Sequence, residues 1–297
     1  MRITLNLTAP IVCLALATWL GLAGCSTAKE DLATGKRAEN EAQIKQYLAT
    51  NGLTARDTLG LFFVLTKPNP DGQPARPGDS VTVHHVTSTL EGRKIDSTSV
   101  RNNRPFSFLL RFDRRVLRGF DAGVGLMREG EKATVLVPSD LAFRGLGDPN
   151  YFPAYAPLRF DLEVVDVIDE NEQINKYLAA NDPAEFRATG SGLRFKRTQA
   201  RPDSALVETG KTASVRYTGR LLNGTQFDSN STAATLYEVT IGSSNAVKGF
   251  EEGIALMRKG ERATLVFPSA LGYGEKGSGS IYPYAPLVFD VEVISIR

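Results

Sequence analysis

Residues 247–261 read Val-Lys-Gly-Phe-Glu-Glu-Gly-Ile-Ala-Leu-Met-Arg-Lys-Gly-Glu. Phe250, Ile254 and Met257 fall at i, i+4 and i+7, the spacing of an apolar stripe along a short helix. Gly260 then offers a C-terminal cap. The stretch has a twin about 130 residues earlier, in Gly119-Phe120-Asp121-Ala122-Gly123-Val124 and Leu126-Met127-Arg128-Glu129-Gly130-Glu131. Ile44-Lys45-Gln46-Tyr47-Leu48 returns as Ile174-Asn175-Lys176-Tyr177-Leu178, and Tyr155-Ala156-Pro157-Leu158 returns as Tyr284-Ala285-Pro286-Leu287. Two copies at this period predict a duplicated domain, since a solenoid needs three or more units.

Around each stripe the chain is mostly strand. Ser80–Thr87, Ala133–Val137 and Leu158–Ile168 in the first copy are rich in β-branched and aromatic residues, as are Thr212–Thr218, Ala263–Phe267 and Leu287–Ile296 in the second. Asn223-Gly224 marks a hairpin. The expected fold class is α+β: an antiparallel sheet wrapped around one short helix, made twice. The expected division is a leader over 1–24, a tether and short helix over 25–55, the first domain over 56–168, a linker helix over 169–190 and the second domain over 191–297.

The 297 residues carry a net charge of +2 with both signs dispersed, so no basic stripe points to nucleic acid. Arg2 is the only charge in the first 24 residues, and a short apolar run there ends in Leu22-Ala23-Gly24-Cys25. That run suits a signal peptide better than a membrane-spanning helix. The sequence before Cys25 resembles the lipobox of bacterial lipoproteins, which implies cleavage before Cys25 and its acylation. Cys13 would leave with the leader, so the mature chain would form no internal disulfide. Ser26 to about Asn40 reads as a flexible tether.

Val215-Arg216-Tyr217-Thr218-Gly219 followed by Asn223-Gly224-Thr225-Gln226-Phe227-Asp228-Ser229 resembles the opening half of an FKBP-type peptidyl-prolyl cis/trans isomerase domain. Val247–Gly253 resembles that family's helix. Phe267-Pro268-Ser269, Leu271-Gly272-Tyr273-Gly274 and Ile281-Tyr282-Pro283 resemble its later loop, and Leu287–Val293 its last strand. The resemblance covers about residues 191–297 in order, and more loosely about 60–168. It implies an isomerase that needs no nucleophile, metal or cofactor. Phe250 would floor a proline pocket with Tyr217, Phe227, Val247 and Phe289 as walls and Asp228 at the rim. Tyr273 and the Ile281 backbone would hold the substrate chain. Phe250 stands where the family commonly has Trp, Tyr237 replaces a common Phe, and Ala233 replaces an Arg. For any one of these aromatics, core packing is the alternative; the ordered set carries the functional reading.

The first copy keeps Asp96, Arg101, Phe106, Leu117, Phe120, Phe152 and Phe160, and Asp96 with Arg101 would make a rim ion pair. It departs at His85, Ile95, Phe143 and Arg144, which leaves its activity open. His84 and His85 are adjacent on a predicted strand and point to opposite faces, which disfavours a shared metal ion. Gly274–Gly279 reads as a flap over the pocket and not as a phosphate loop. The expected function is prolyl isomerisation that assists folding of secreted envelope proteins, acting on proline-containing polypeptides mainly through the second domain. A non-enzymatic peptide-binding chaperone is the alternative. The expected form is a monomer, lipid-anchored in the bacterial envelope at the outer membrane facing the periplasm.

Overall fold

The computed structural model describes residues 23–98 and 104–297. The leader up to residue 22, and Arg101, lie outside the described residues, as does the side chain of Cys25. Helix α1 (Ala23–Thr50) runs unbroken through both the stretch read as a flexible tether and the short helix after it. The composition explains the difference. Residues 26–49 contain no proline and one glycine, and are dominated by Ala, Lys, Glu, Gln and other strong helix formers. Lys36–Glu39 and Arg37–Glu41 pairs at 2.7 and 2.9 Å add local support. Among the described residues no helix is long and apolar enough to cross a membrane.

The first domain follows as β1 (Arg56–Thr58), β2 (Leu61–Lys67), β3 (Ser80–Thr89), β4 (Lys94–Ser97), β5 (Phe106–Leu109), helix α2 (Arg118–Val124), β6 (Lys132–Val137) and β7 (Leu158–Ile168). All its pairings are antiparallel, in the order β1-β2-β6-β7-β3-β4, with β5 also paired to β3. Helix α3 (Glu170–Ala179) leads into the second domain: β8 (Arg187–Ala188), β9 (Arg194–Gln199), β10 (Thr212–Leu221), β11 (Gln226–Ser229), β12 (Tyr237–Thr240), α4 (Lys248–Ala255), β13 (Arg262–Phe267) and β14 (Leu287–Ile296). Its sheet repeats the same order, β8-β9-β13-β14-β10-β11, with β12 on β10. The Asn223-Gly224 turn closes β10 onto β11, with Gly224 at φ 86°.

Each sheet folds its concave face over the predicted stripe. Phe120 and Val124 meet Val135, Leu158 and Phe160 in the first core, and Phe250 and Ile254 meet Leu265, Leu287 and Phe289 in the second. The helix lies very close to the sheet: a Cβ on Gly253 would come within 2.3 Å of the Leu265 side chain. The capping glycines fall elsewhere than expected. α2 and α4 end at Val124 and Ala255, and Gly130 and Gly260, both at φ 78°, turn the chain into β6 and β13. The Glu131 and Glu261 carboxylates close these turns by accepting from the N–H groups of Arg128 and Arg258 at 2.8 and 2.9 Å. Met127 and Met257 lie past the helix ends yet are fully buried, so the stripe outlasts the helix.

The outer face of each sheet is also covered. Ile44 and Leu48 of α1 pack on Phe62, Val64 and Leu136, and Ile174 and Leu178 of α3 pack on Val266 and Val288. The repeating unit is therefore an outer helix, a sheet and an inner helix. One polar residue of each outer helix reaches round the sheet. Asn40 Oδ1 accepts from the Ser139 N–H at 2.9 Å, while the Glu170 carboxylate accepts from the N–H and hydroxyl of Ser269. Burial pushes the Glu170 carboxyl above its ordinary range, against the pull of those two donors.

Candidate functional site

In the second domain the chain converges on a cavity of about 360 Å³. β10 supplies Tyr217, β11 supplies Asp228, β12 supplies Tyr237, the entrance to α4 supplies Val247 and its first turn Phe250, the loop after β13 supplies Tyr273, and β14 supplies Phe289. Phe250, 3% exposed, forms the floor. Its ring centroid lies 4.8 Å from Phe289, 5.4 Å from Tyr217 and 6.3 Å from Tyr237. Phe227 stands behind this wall, edge-on to Phe289 at 5.5 Å, and does not line the cavity. Gly219 makes that arrangement fit: a Cβ there would meet the Phe227 ring at 2.6 Å and the Phe289 ring at 2.9 Å.

Polar groups occupy the rim. Tyr217 donates its hydroxyl to Asp228 at 2.6 Å, and Tyr237 donates to the Asn245 carbonyl at 2.9 Å. Burial, then the Asp228 bond, holds the Tyr217 phenol far above its ordinary range. Burial also raises Tyr273, with the Asp228 carboxylate adding to it. Both phenols are thus protonated donors at neutral pH. Tyr217 spends its proton on Asp228, whereas the Tyr273 hydroxyl, at the mouth, has no hydrogen-bond partner among the described residues. Arg216 fastens the loop beyond β11 by donating to the carbonyls of Asn230, Ser231 and Ala233.

Ile281 does not join the cavity. Its side chain is buried in the core, and its backbone N–H and C=O are both bonded to Ser278 at 2.9 Å. Three lining residues escaped sequence reading: Ser244, Asn245 and Ala246. The available signal was the polar run after β12, where Ser244 takes φ 57° to bring the chain across the mouth.

The first domain builds a smaller cavity of about 240 Å³ from His85, Thr87, Asp96, Phe106, Arg115, Val116, Leu117, Phe120 and Phe160. Phe120 again forms the floor, 5.4 Å from Phe160 and 5.3 Å from His85. Thr87 faces Phe160 in the register in which Gly219 faces Phe289, and the smaller Ile95 leaves room for its side chain. His85 Nε2 approaches Asp96 to only 4.0 Å. Burial pushes the His85 imidazole below its ordinary range, opposed by Asp96, so it is neutral at pH 7. Phe143 stacks on Phe152 at 4.6 Å and offers no hydroxyl at the mouth. Asp96 turns as Asp228 does, each accepting from the following backbone N–H at 2.8 Å.

A buried aromatic floor ringed by phenols and backbone suits an apolar ring on an extended peptide. Comparison with known proteins places the chain among relatives. The chain is 32% identical over 240 residues to mouse peptidyl-prolyl cis-trans isomerase FKBP9, covering 78% of this chain and 37% of that protein. It is 29% identical over 221 residues to human peptidyl-prolyl cis-trans isomerase FKBP10, covering 74% of this chain and 34% of that one, so it spans about a third of the length of either relative. The crystal structure of the three FKBP domains of wheat FKBP73 matches with a TM-score of 0.39 at 20% identity, over 82% of this chain and 99% of that one. The model of the family described as FKBP-type peptidyl-prolyl cis-trans isomerase matches residues 72–165 and 204–294. Two matched regions, one on each sheet and each containing one aromatic-floored cavity, make this chain a member of the FKBP-type peptidyl-prolyl cis-trans isomerase family with two tandem copies of its domain.

Proposed function

We propose that the protein catalyses cis/trans isomerisation of X–Pro bonds in secreted polypeptides, mainly through its second domain, and does so anchored to a bacterial membrane by an acylated Cys25. Peptide-bond rotation meets a barrier of about 18–20 kcal/mol, and X–Pro bonds exchange in tens to hundreds of seconds. The planar amide owes its stiffness to charge separation that water supports. A proline ring seated on Phe250 between Tyr217 and Phe289 leaves that water behind, and the twisted bond, with less charge separation, loses less by the transfer. Tyr273 donates to a substrate carbonyl, while the Tyr217–Asp228 pair fixes the rim. The observation that carries the reading is this closed aromatic floor with a free phenol at its mouth. A peptide-binding role without catalysis is the second reading, and the first domain favours it for itself, because Phe143 presents no donor there.

The test is acceleration of a proline-limited refolding reaction. Phe250→Ala with Asp228→Ala in the full chain should remove most activity, and Phe120→Ala with Asp96→Ala much less, with thermal unfolding followed beside each. Equal losses would refute the ranking of the domains. A wild-type chain that accelerates no X–Pro step would leave the chaperone as the better reading. Anchoring is tested apart from this: Cys25→Ala should move the protein from the membrane to the soluble fraction, and unchanged fractionation would refute it. The position read as outer membrane, and the monomeric form, belong to the same proposal.

A further inference from the structure

The two copies differ in charge on the segment that leads from β5 into α2 and from β12 into α4. Between β5 and α2 the first domain reads Arg111-Phe112-Asp113-Arg114-Arg115-Val116-Leu117-Arg118; between β12 and α4 the second reads Gly242-Ser243-Ser244-Asn245-Ala246-Val247-Lys248. Both start from the same frame. The N–H of Arg111 donates to Asp121 at 2.7 Å, as that of Gly242 does to Glu251 at 2.7 Å. Arg111 adopts φ 74° where the other copy has glycine at φ 93°, a conformation strained for an L residue. Four arginines against Asp113 and Asp121 replace one lysine against Glu251 and Glu252.

The carboxylates do not neutralise this loop. Asp121 is engaged by Arg111 at 3.1 Å, and Asp113 by Arg115. Arg114 and Arg118 are exposed and form no ion pair among the described residues. Both line a cleft of about 970 Å³ whose opposite wall is Lys276 to Pro283 of the second domain, which adds the Lys276 ammonium. Val116 lines both this cleft and the first-domain pocket, and the Arg115 guanidinium lies 5.7 Å over Phe106 at the pocket lip. Val116 thus borders both the apolar pocket and the cationic cleft, which adjoin each other.

We propose that the first domain is a docking site for acidic segments of client polypeptides: Phe120, Phe106 and Phe160 receive a proline or other apolar side chain, and Arg114 and Arg118 receive Asp or Glu carboxylates two to five residues away. This rests on the reading of the pockets as peptide sites. Guanidinium pairs carboxylates bidentately, and a cleft concentrates its field on a bound chain. The cations line a cleft beside an aromatic pocket instead of a convex face, which favours an inserted peptide over a lipid surface.

The test uses the full chain and two fluorescent dodecapeptides, one with Glu-Glu-Leu-Pro and one with Gln-Gln-Leu-Pro, followed by anisotropy at low and at 0.5 M salt. The acidic peptide should bind roughly tenfold tighter at low salt, and high salt should erase the difference. Arg114→Glu with Arg118→Glu should reverse the preference and the milder Arg114→Gln with Arg118→Gln should abolish it, with circular dichroism confirming the fold. Equal binding of both peptides by the wild type, or a preference that survives charge reversal, overturns the proposal. Arginine-dependent binding to phosphatidylglycerol vesicles that neither peptide displaces overturns it in favour of a membrane surface. Wild-type acceleration of refolding at neutral X–Pro sites reports on the isomerase reading separately, so the two failures are distinguishable.

Discussion

Tyr273→Phe removes one oxygen atom from the mouth of the second-domain pocket and gives that position the residue its twin holds at Phe143. The structure sets the size of the effect. The Tyr273 side chain is 37% exposed, and its hydroxyl bonds nothing among the described residues, so the free protein loses no internal bond. A substrate carbonyl left without this donor keeps access to water at so open a site. The loss is thus that of an ordinary net hydrogen bond, about 0.5–1.5 kcal/mol, and not the larger penalty of a buried unpaired group. Felt in the transition state, it lowers kcat/KM roughly twofold to tenfold. The assay is single-turnover isomerisation of an X–Pro peptide, with a urea unfolding curve on the same variant. The midpoint should stay within about 0.5 kcal/mol of wild type, as for surface changes. An unchanged kcat/KM in a folded variant would refute the donor role of Tyr273. A large drop in stability would show that the hydroxyl is structural.

Gly219→Thr should press on Phe227 and Phe289, cost about 1–3 kcal/mol by overpacking and narrow the pocket; adding Phe227→Ile, which copies Thr87 and Ile95, should recover much of that in a denaturation series. His85 is held below its ordinary value of 6.5, so the unfolded chain binds its proton more readily. Its contribution to first-domain stability is full above pH 6.5 and is lost as pH falls from there through the depressed folded value; His85→Gln should flatten that slope in urea midpoints measured from pH 7.5 to 5.5. Ile174→Ala, buried against Val266 and Val288, should destabilise the second domain by about 2–5 kcal/mol, and a fragment starting at residue 190 should unfold at lower urea than one starting at 169.

The duplicated α+β plan was legible because it rests on local periodicity. The Phe250, Ile254, Met257 stripe and the strand alternation each lie within a dozen residues, and burial enforces them. The linker around residues 169–190 was harder to read, because its attachments are long-range. Ser269 donates to Glu170, and Ile174 and Leu178 pack on Val266 and Val288, about a hundred residues on. Sequence named most of the residues that meet in the second pocket, because the resemblance runs in order through β10, β11, α4 and β14 and carries those positions with it. Ile281 and Phe227 show the limit. One is turned into the core by its bridge to Ser278, and the other is displaced behind Phe289 by the space that Gly219 leaves. Both outcomes depend on what packs from another strand.

The pattern of divergence between the copies is itself informative. Frame contacts persist: Thr134 donates to Asp161 at 2.7 Å as Thr264 does to Asp290 at 2.8 Å, and Glu131 and Glu261 close equivalent turns. Changes gather at the pocket and come in matched sets. Thr87 with Ile95 replaces Gly219 with Phe227, His85 beside Asp96 replaces the Tyr217–Asp228 bond, and Phe143 stacked on Phe152 replaces a free phenol. Relaxed packing would be expected to open cavities and orphan polar atoms throughout the domain. Instead the first core is as fully buried as the second, and Asp140 Oδ1 is the one buried side-chain polar atom without a partner among the described residues. Matched changes in the lining, beside frame contacts that persist, are what a change in the accepted ligand would produce. Such a change gives a physical reason for one fold to carry two pockets of unequal size, one rimmed by phenols and the other by His85 and Arg115.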